Sequence, residues 1–217
     1  MEIIKILSID IGISNLGYVW GNMHFNSDEY TTDFNYYKKM SYLLHKDIFV
    51  NNIEILDCNR VNITHIKHNK VKFCDCNLRH ESCIPDYLDH FIQEYNDMFE
   101  HADIILLERQ PPQGIMNVQD LLFTRFREKV ILISPNSIHK YFNMSKDYDT
   151  RKQESENIST LFLNTFRTFN NNIRKHDISD SLLMVIWYYH NRFEQFSKKI
   201  SNGKGIDLEA FRYHPPG

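Results

Sequence analysis

An α/β fold, with helices covering a central sheet, is predicted by three observations. Ile3, Ile4, Ile6, Leu7 and Ile9 form an apolar, β-branched run that stops at Asp10, ahead of Gly12 and Gly17. That is the pattern of a buried strand that turns back into a second one, here through Tyr18, Val19 and Trp20. A second run, Ile104 to Leu107, ends in Glu108 and then breaks at Pro111 and Pro112. Between them, Pro85 to His101 has helical period, with Ile84, Leu88, Phe91, Ile92, Tyr95 and Phe99 on one side. Strand, helix, strand in that order is the connection of parallel neighbours.

The strand ends carry the chemistry. A carboxylate at the tip of a buried strand is costly unless something pairs with it, although an Asp also opens turns by hydrogen-bonding backbone two residues on. Two buried strands here end in carboxylates, Asp10 and Glu108. Parallel neighbours stand about 4.8 Å apart, which brings both within reach of one divalent cation. A third contribution is the pair Asp177 and Asp180, just before the apolar Leu182, Leu183, Val185, Ile186 and Trp187. Residues three apart share a helix face; ordinary capping at a helix start would use the same residues.

The other elements follow in order. Tyr36 to Lys46 reads as a short helix, and Ile53, Ile55 and Leu56 as a strand ending near Cys58. Met116 to Arg127 reads as a helix with Val118, Leu121, Leu122 and Phe126 facing inward, and Lys129 to Ile133 as a final strand stopped by Ser134 before Pro135. Ile158 to Phe169 is a further helix using Leu161, Phe162, Phe166 and Phe169, and the acidic helix runs from His176 to about Phe196. A basic tail, Lys198 to Lys204, and a disordered end from Phe211 complete the chain.

At 217 residues the chain is expected to form a single domain over 1–217 with an insertion at about 59–83. Its net charge of −3 excludes a protein that binds nucleic acid with its whole surface, so any DNA face is a local patch. All 4 cysteines fall between Cys58 and Cys83, and no apolar run approaches a membrane span. These features predict an intracellular, reducing compartment and no membrane partner. Cys74, Cys76, His80 and Cys83 are close enough in sequence to hold a structural Zn2+; reduced thiols in a polar loop are the alternative.

Taken together, Ile9-Asp10-Ile11-Gly12 with Gly17, Leu107-Glu108-Arg109-Gln110-Pro111-Pro112-Gln113-Gly114, Ile133-Ser134-Pro135-Asn136, Arg151-Lys152 and His176-Asp177 with Asp180 resemble the RuvC-like Holliday junction resolvases. The match is closer to the branch found in poxviruses and other large cytoplasmic DNA viruses. The resemblance implies a ribonuclease H-like fold, with a five-stranded mixed sheet flanked by helices. It implies an enzyme that resolves four-way DNA junctions by paired, Mg2+-dependent hydrolysis; for a viral protein the setting is the host-cell cytoplasm or nucleus. Because such a junction must be cut on two opposed strands, its two-fold symmetry predicts a homodimer. Asp10, Glu108, Asp177 and Asp180 would hold two Mg2+ ions, with Mn2+ able to substitute, and Lys152 would act on the phosphate. His176 is a candidate proton carrier. Lys140, Lys146, Arg151 and Lys152, interleaved with Tyr141, Phe142 and Tyr148, suit a DNA backbone beside exposed bases. Leu122, Phe123, Phe126, Phe162 and Phe166 exceed what one core-facing stripe requires and form a candidate dimer surface.

Three rivals remain. A ribonuclease H-like nuclease acting on flaps or RNA/DNA hybrids would use the same carboxylates. A branched-DNA binding protein without catalysis would have lost one of them. The loop after Asp10 also resembles the first phosphate loop of actin and sugar kinase ATPases, but only 7 glycines, with no second Gly-rich cluster, argue against it.

Overall fold

The structure, a computed structural model, describes residues 2–25, 46–65, 81 and 83–201. Its centre is a five-stranded sheet in the order β3-β2-β1-β4-β5, formed by β1 (Glu2–Asp10), β2 (Leu16–Phe25), β3 (Ile53–Val61), β4 (Ile104–Glu108) and β5 (Val130–Ile133). β1, β2 and β3 pair antiparallel, while β4 runs parallel to both β1 and β5. The mixed sheet expected from the resemblance is therefore present, with the two carboxylate-tipped strands side by side.

Alternation along the strands divides the core into two layers. Ile4 and Ile6 of β1 and Ile104 and Leu106 of β4 pack under the long helix that ends the described chain, whereas Leu7, Ile9, Ile105 and Leu107 pack under the helices on the opposite face. β1 and β4 are apolar on both faces because both faces are covered. Helix α1 (Lys46–Asn52) precedes β3, and α2 (Ile84–Glu94), α3 (Asn96–His101) and α4 (Met116–Arg125) build the second layer around Leu88, Phe91, Phe99, Val118 and Leu122. The first layer holds α5 (Pro135–Tyr141), α6 (Tyr148–Leu163), α7 (Arg167–Asn170) and α8 (Lys175–Ser201). Ile178, Leu182, Val185, Ile186 and Tyr189 of α8 are buried against the sheet. Each such side chain contributes about 1.5–3 kcal/mol on burial.

Several expectations are corrected. The helix expected over Pro85 to His101 is two helices, because Tyr95 leaves helical geometry (φ −108°, ψ 25°); the bend returns Phe99 to stack on Phe126 and meet Phe91 edge-on. β3 runs past Cys58 to Val61. The helix expected from Ile158 starts ten residues earlier and stops at Leu163, with Phe169 on a separate short helix. α8 continues beyond Phe196 to Ser201. Leu121 and Leu161, expected to face inward, are exposed. Residues 36–45 and the tail beyond 201 lie outside the described residues. Among those described, no helix is long and apolar enough to cross a membrane.

Candidate functional site

Strand parity aims the acids. In β1 and β4 the even-numbered side chains face the α8 layer, and Asp10 and Glu108 continue that even series at the strand tips, so both carboxyls turn toward α8. The register sets Ile9 opposite Leu107, which makes Asp10 and Glu108 neighbours across the strand pair. Asp180, one turn into α8, completes the group. These three acids line one cavity, walled otherwise by apolar side chains such as Ile138, Met144 and Leu183 and by His139. Ligand sites at the carboxyl ends of parallel strands are the rule in open α/β sheets.

A set of small and amide residues holds this geometry. The Ser181 hydroxyl accepts from the Asp10 backbone N–H at 3.0 Å and donates to the Gly17 carbonyl at 2.9 Å, while the Ser8 hydroxyl donates to the Ser181 carbonyl at 2.8 Å. Ser8 and Ser181 are fully buried. Gly17 permits the close approach: a Cβ there would stand 2.0 Å from the Asp177 carbonyl oxygen. Glu108 is held from its other side, where Gln110 Nε2 donates to its carboxylate at 2.8 Å and the Gln110 backbone N–H donates to the buried Gln119 side chain at 2.8 Å. Sequence reasoning missed Ser8, Ser181 and Gln119. Their one signal is a polar residue interrupting an otherwise apolar stripe.

The electrostatics report crowding. Burial holds the Asp10 carboxyl well above its ordinary pKa, with the nearby Glu108 and Asp180 charges adding to the effect. Burial also raises Glu108, and its hydrogen bond with Asp10 works the other way. At Lys152, on α6, burial pulls the ammonium down, but the Asp180 carboxylate 2.5 Å away, together with Asp10 and Tyr148, outweighs it and the net shift is upward. Lys152 therefore stays charged, one cation against three acids. Among the described residues, no three His, Cys, Asp or Glu side chains converge as a ready-made metal cage. The donor set nevertheless fits a hard divalent cation: crowded carboxylate oxygens, two of them sharing a hydrogen bond, are what such an ion needs and neutralises.

None of the remaining candidates is part of this cavity's lining. Asp177 is nearly buried and is not part of its lining; its carboxylate accepts from Arg174 Nε at 2.9 Å and from Arg174 Nη2 at 3.3 Å. The His176 ring lies between Glu156 and Asp177, at 3.4 and 3.3 Å. Lys140 and Lys146 are exposed, and Arg151 folds back toward the Ser145 and Lys146 carbonyls. Tyr148, itself exposed, presents a ring with Arg151 and Lys152 at 5.6 and 5.5 Å from its centre. Of the proposed zinc ligands, Cys74, Cys76 and His80 lie outside the described residues; Cys83 is an exposed thiol at the start of α2. The expected dimer surface is not one surface: Leu122, Phe123 and Phe126 belong to the α2–α4 layer, Phe162 and Phe166 to the α8 layer on the far side of the sheet.

No protein-family model and no curated protein matches this chain. Solved structures do. The Fowlpox virus resolvase in complex with Holliday junction DNA matches with a TM-score of 0.54 at 15% identity, covering 87% of this chain and 99% of that one. The yeast mitochondrial Holliday junction resolvase matches with a TM-score of 0.52 at 16% identity, covering 91% and 86%. The chain thus has the ribonuclease H-like fold of the RuvC-like resolvases, and a poxvirus member stands among the structures most like it.

Proposed function

We propose that this protein is a structure-specific DNA endonuclease that resolves four-way junctions by paired, metal-dependent phosphodiester hydrolysis. The observation that carries the reading is the convergence of Asp10, Glu108 and Asp180 on one cavity at the carboxyl ends of β1 and β4. Phosphodiester hydrolysis needs negative charge neutralised on the phosphate and on the leaving oxygen. A pair of Mg2+ or Mn2+ ions supplies that neutralisation and a nucleophilic water when bound. Asp10 and Glu108 would hold such ions from the sheet, and Asp180 and Asp177 from α8.

The chain's own residues do the rest. Lys152, paired with Asp180, would supply a positive charge for the attacked phosphate. Tyr148 and Arg151 lie next to it on α6, and Lys140 and Lys146 on the preceding segment, forming the local basic patch that a chain of net charge −3 needs to meet DNA. The likeness to resolvases, one of them in complex with a junction, supports four-way DNA as the substrate.

The test is cleavage of a labelled four-way junction, a flap, a duplex and an RNA/DNA hybrid, each with Mg2+ and with EDTA. Symmetric, Mg2+-dependent incision of the junction alone is expected. Preference for the flap or hybrid would make it another nuclease of this fold, and binding without incision a branched-DNA binding protein. Asp10→Asn and Glu108→Gln should each lower junction cleavage by about three orders of magnitude, the loss of roughly 4 kcal/mol of transition-state stabilisation, with DNA binding kept.

A further inference from the structure

The spacing of Asp177 from Asp180 would make it a metal ligand, yet its carboxylate is engaged elsewhere. Its side chain is 6% exposed, whereas that of Arg174, which grips both of its oxygens, is 43% exposed. A carboxylate this deeply buried is not left without a cation, because removing its partner strands a charge out of water. The His176 ring also stands 3.3 Å from this carboxylate, but Arg174 is the group that holds both oxygens, and it and a divalent ion are alternative cations for Asp177. Asp180 has its own internal cation in Lys152, but Lys152 is only 21% exposed and faces the acids directly. Arg174 sits in the loop between α7 and α8, open to solvent, with a guanidinium that suits phosphate as well as carboxylate.

We propose that Arg174 is a latch: it holds Asp177 until a DNA phosphate draws its guanidinium away, and only then is Asp177 free to complete the metal site. This rests on the reading of the acids as a metal centre. Its consequence is that DNA and metal ions bind cooperatively, each strengthening the other by the same factor. A free enzyme would carry an incomplete centre and an enzyme on DNA a complete one. Arg174 is then a positioning residue, acting through Asp177.

The test measures Mn2+ binding by the electron paramagnetic resonance signal of free Mn2+, without DNA and with junction DNA. Removing the latch by Arg174→Gln should tighten Mn2+ binding in the absence of DNA by roughly fivefold or more, and should shrink the strengthening that junction DNA confers. Junction affinity measured in EDTA should weaken, and its logarithmic salt dependence should become shallower by about 0.9, the value for one phosphate contact. A merely structural role would weaken metal binding on substitution. Unchanged or weaker Mn2+ binding in Arg174→Gln, or an unchanged salt dependence, would overturn the latch. If Arg174→Gln proves unfolded by circular dichroism, Arg174→Lys, which keeps the charge but loses the two-point grip, should still bind Mn2+ more tightly than wild type; failure to do so overturns it equally. Wild-type protein that takes up no Mn2+ even on junction DNA would overturn the metal centre itself. Normal uptake that is indifferent to residue 174 would overturn only the latch.

Discussion

At the scale of residues, the acids that serve the proposed chemistry work against the stability of the metal-free protein. Asp10 and Glu108 have raised pKa values, chiefly because they are buried, with the crowding of like charges adding to it at Asp10. The folded protein therefore holds protons there that the unfolded chain has released. By linkage, their contribution to stability is fully present below the ordinary values of 3.8 and 4.5 and is lost as pH rises through the raised ones. Asp10→Asn removes one of the repelling charges with almost no change in volume. In EDTA near neutral pH it should raise the melting temperature, by about 2–4 °C for each kcal/mol relieved. Added Mg2+ should stabilise the wild type and not the variant. A variant that melts lower than wild type in EDTA would show that the Asp10 charge is already compensated. Cys58 offers a separate check: burial pushes its thiol up to about 11 and removes it from solvent, so it should resist alkylation at pH 8 until the protein unfolds, while the exposed Cys83 reacts at once.

At the scale of elements, the site depends on how α8 docks across β1 and β2. Gly17 stands directly opposite Asp10 in the sheet and directly under the Asp177 carbonyl. Gly17→Ala cannot be absorbed by a side-chain rotation, because the atom it meets is backbone. The helix must lift, carrying Asp180 away from Asp10 and Glu108. We expect a loss of roughly 2–3 kcal/mol in stability and a fall in cleavage at least as large as that of Ser181→Ala, which removes only the hydrogen bonds. Equal activity of Gly17→Ala and wild type would show that the docking is not that close. How much of this was legible in the sequence differs by element. β1, β4 and the acidic start of α8 were legible because strand runs ending in carboxylates and an Asp pair are local signals. α6 was not. The stripe it buries is Ser155, Ser159 and Leu163, and serine in a contact this close reads as polar surface in any hydropathy pattern. Its start was marked only by Asp147, whose side chain accepts from the Thr150 backbone N–H at 2.9 Å. The docking serines were equally hidden, since the bonds by which they tie α8 to the sheet join residues more than 160 apart along the chain.

At the scale of the whole molecule, the proposed substrate sets a symmetry requirement that one chain does not meet. A four-way junction is resolved by two incisions on opposed strands, and one acidic cavity would cut one strand at a time. Two-fold symmetry in the DNA is most simply matched by a two-fold dimer with both cavities on one face. The apolar residues that suggested where such a dimer forms are distributed between opposite layers of the sheet, so only one of the two layers is available to any single interface. Sedimentation at micromolar protein should give twice the 26.0 kDa chain mass. Mixing wild-type and Asp10→Asn chains, with exchange allowed, should produce dimers with one working cavity and junctions nicked on a single strand. The fraction of such nicked junctions should follow the binomial fraction of mixed dimers as the ratio of chains is varied. A monomeric mass on junction DNA, together with fully paired incision at every ratio, would mean that one chain visits both strands in succession, and the requirement for a dimer would fall.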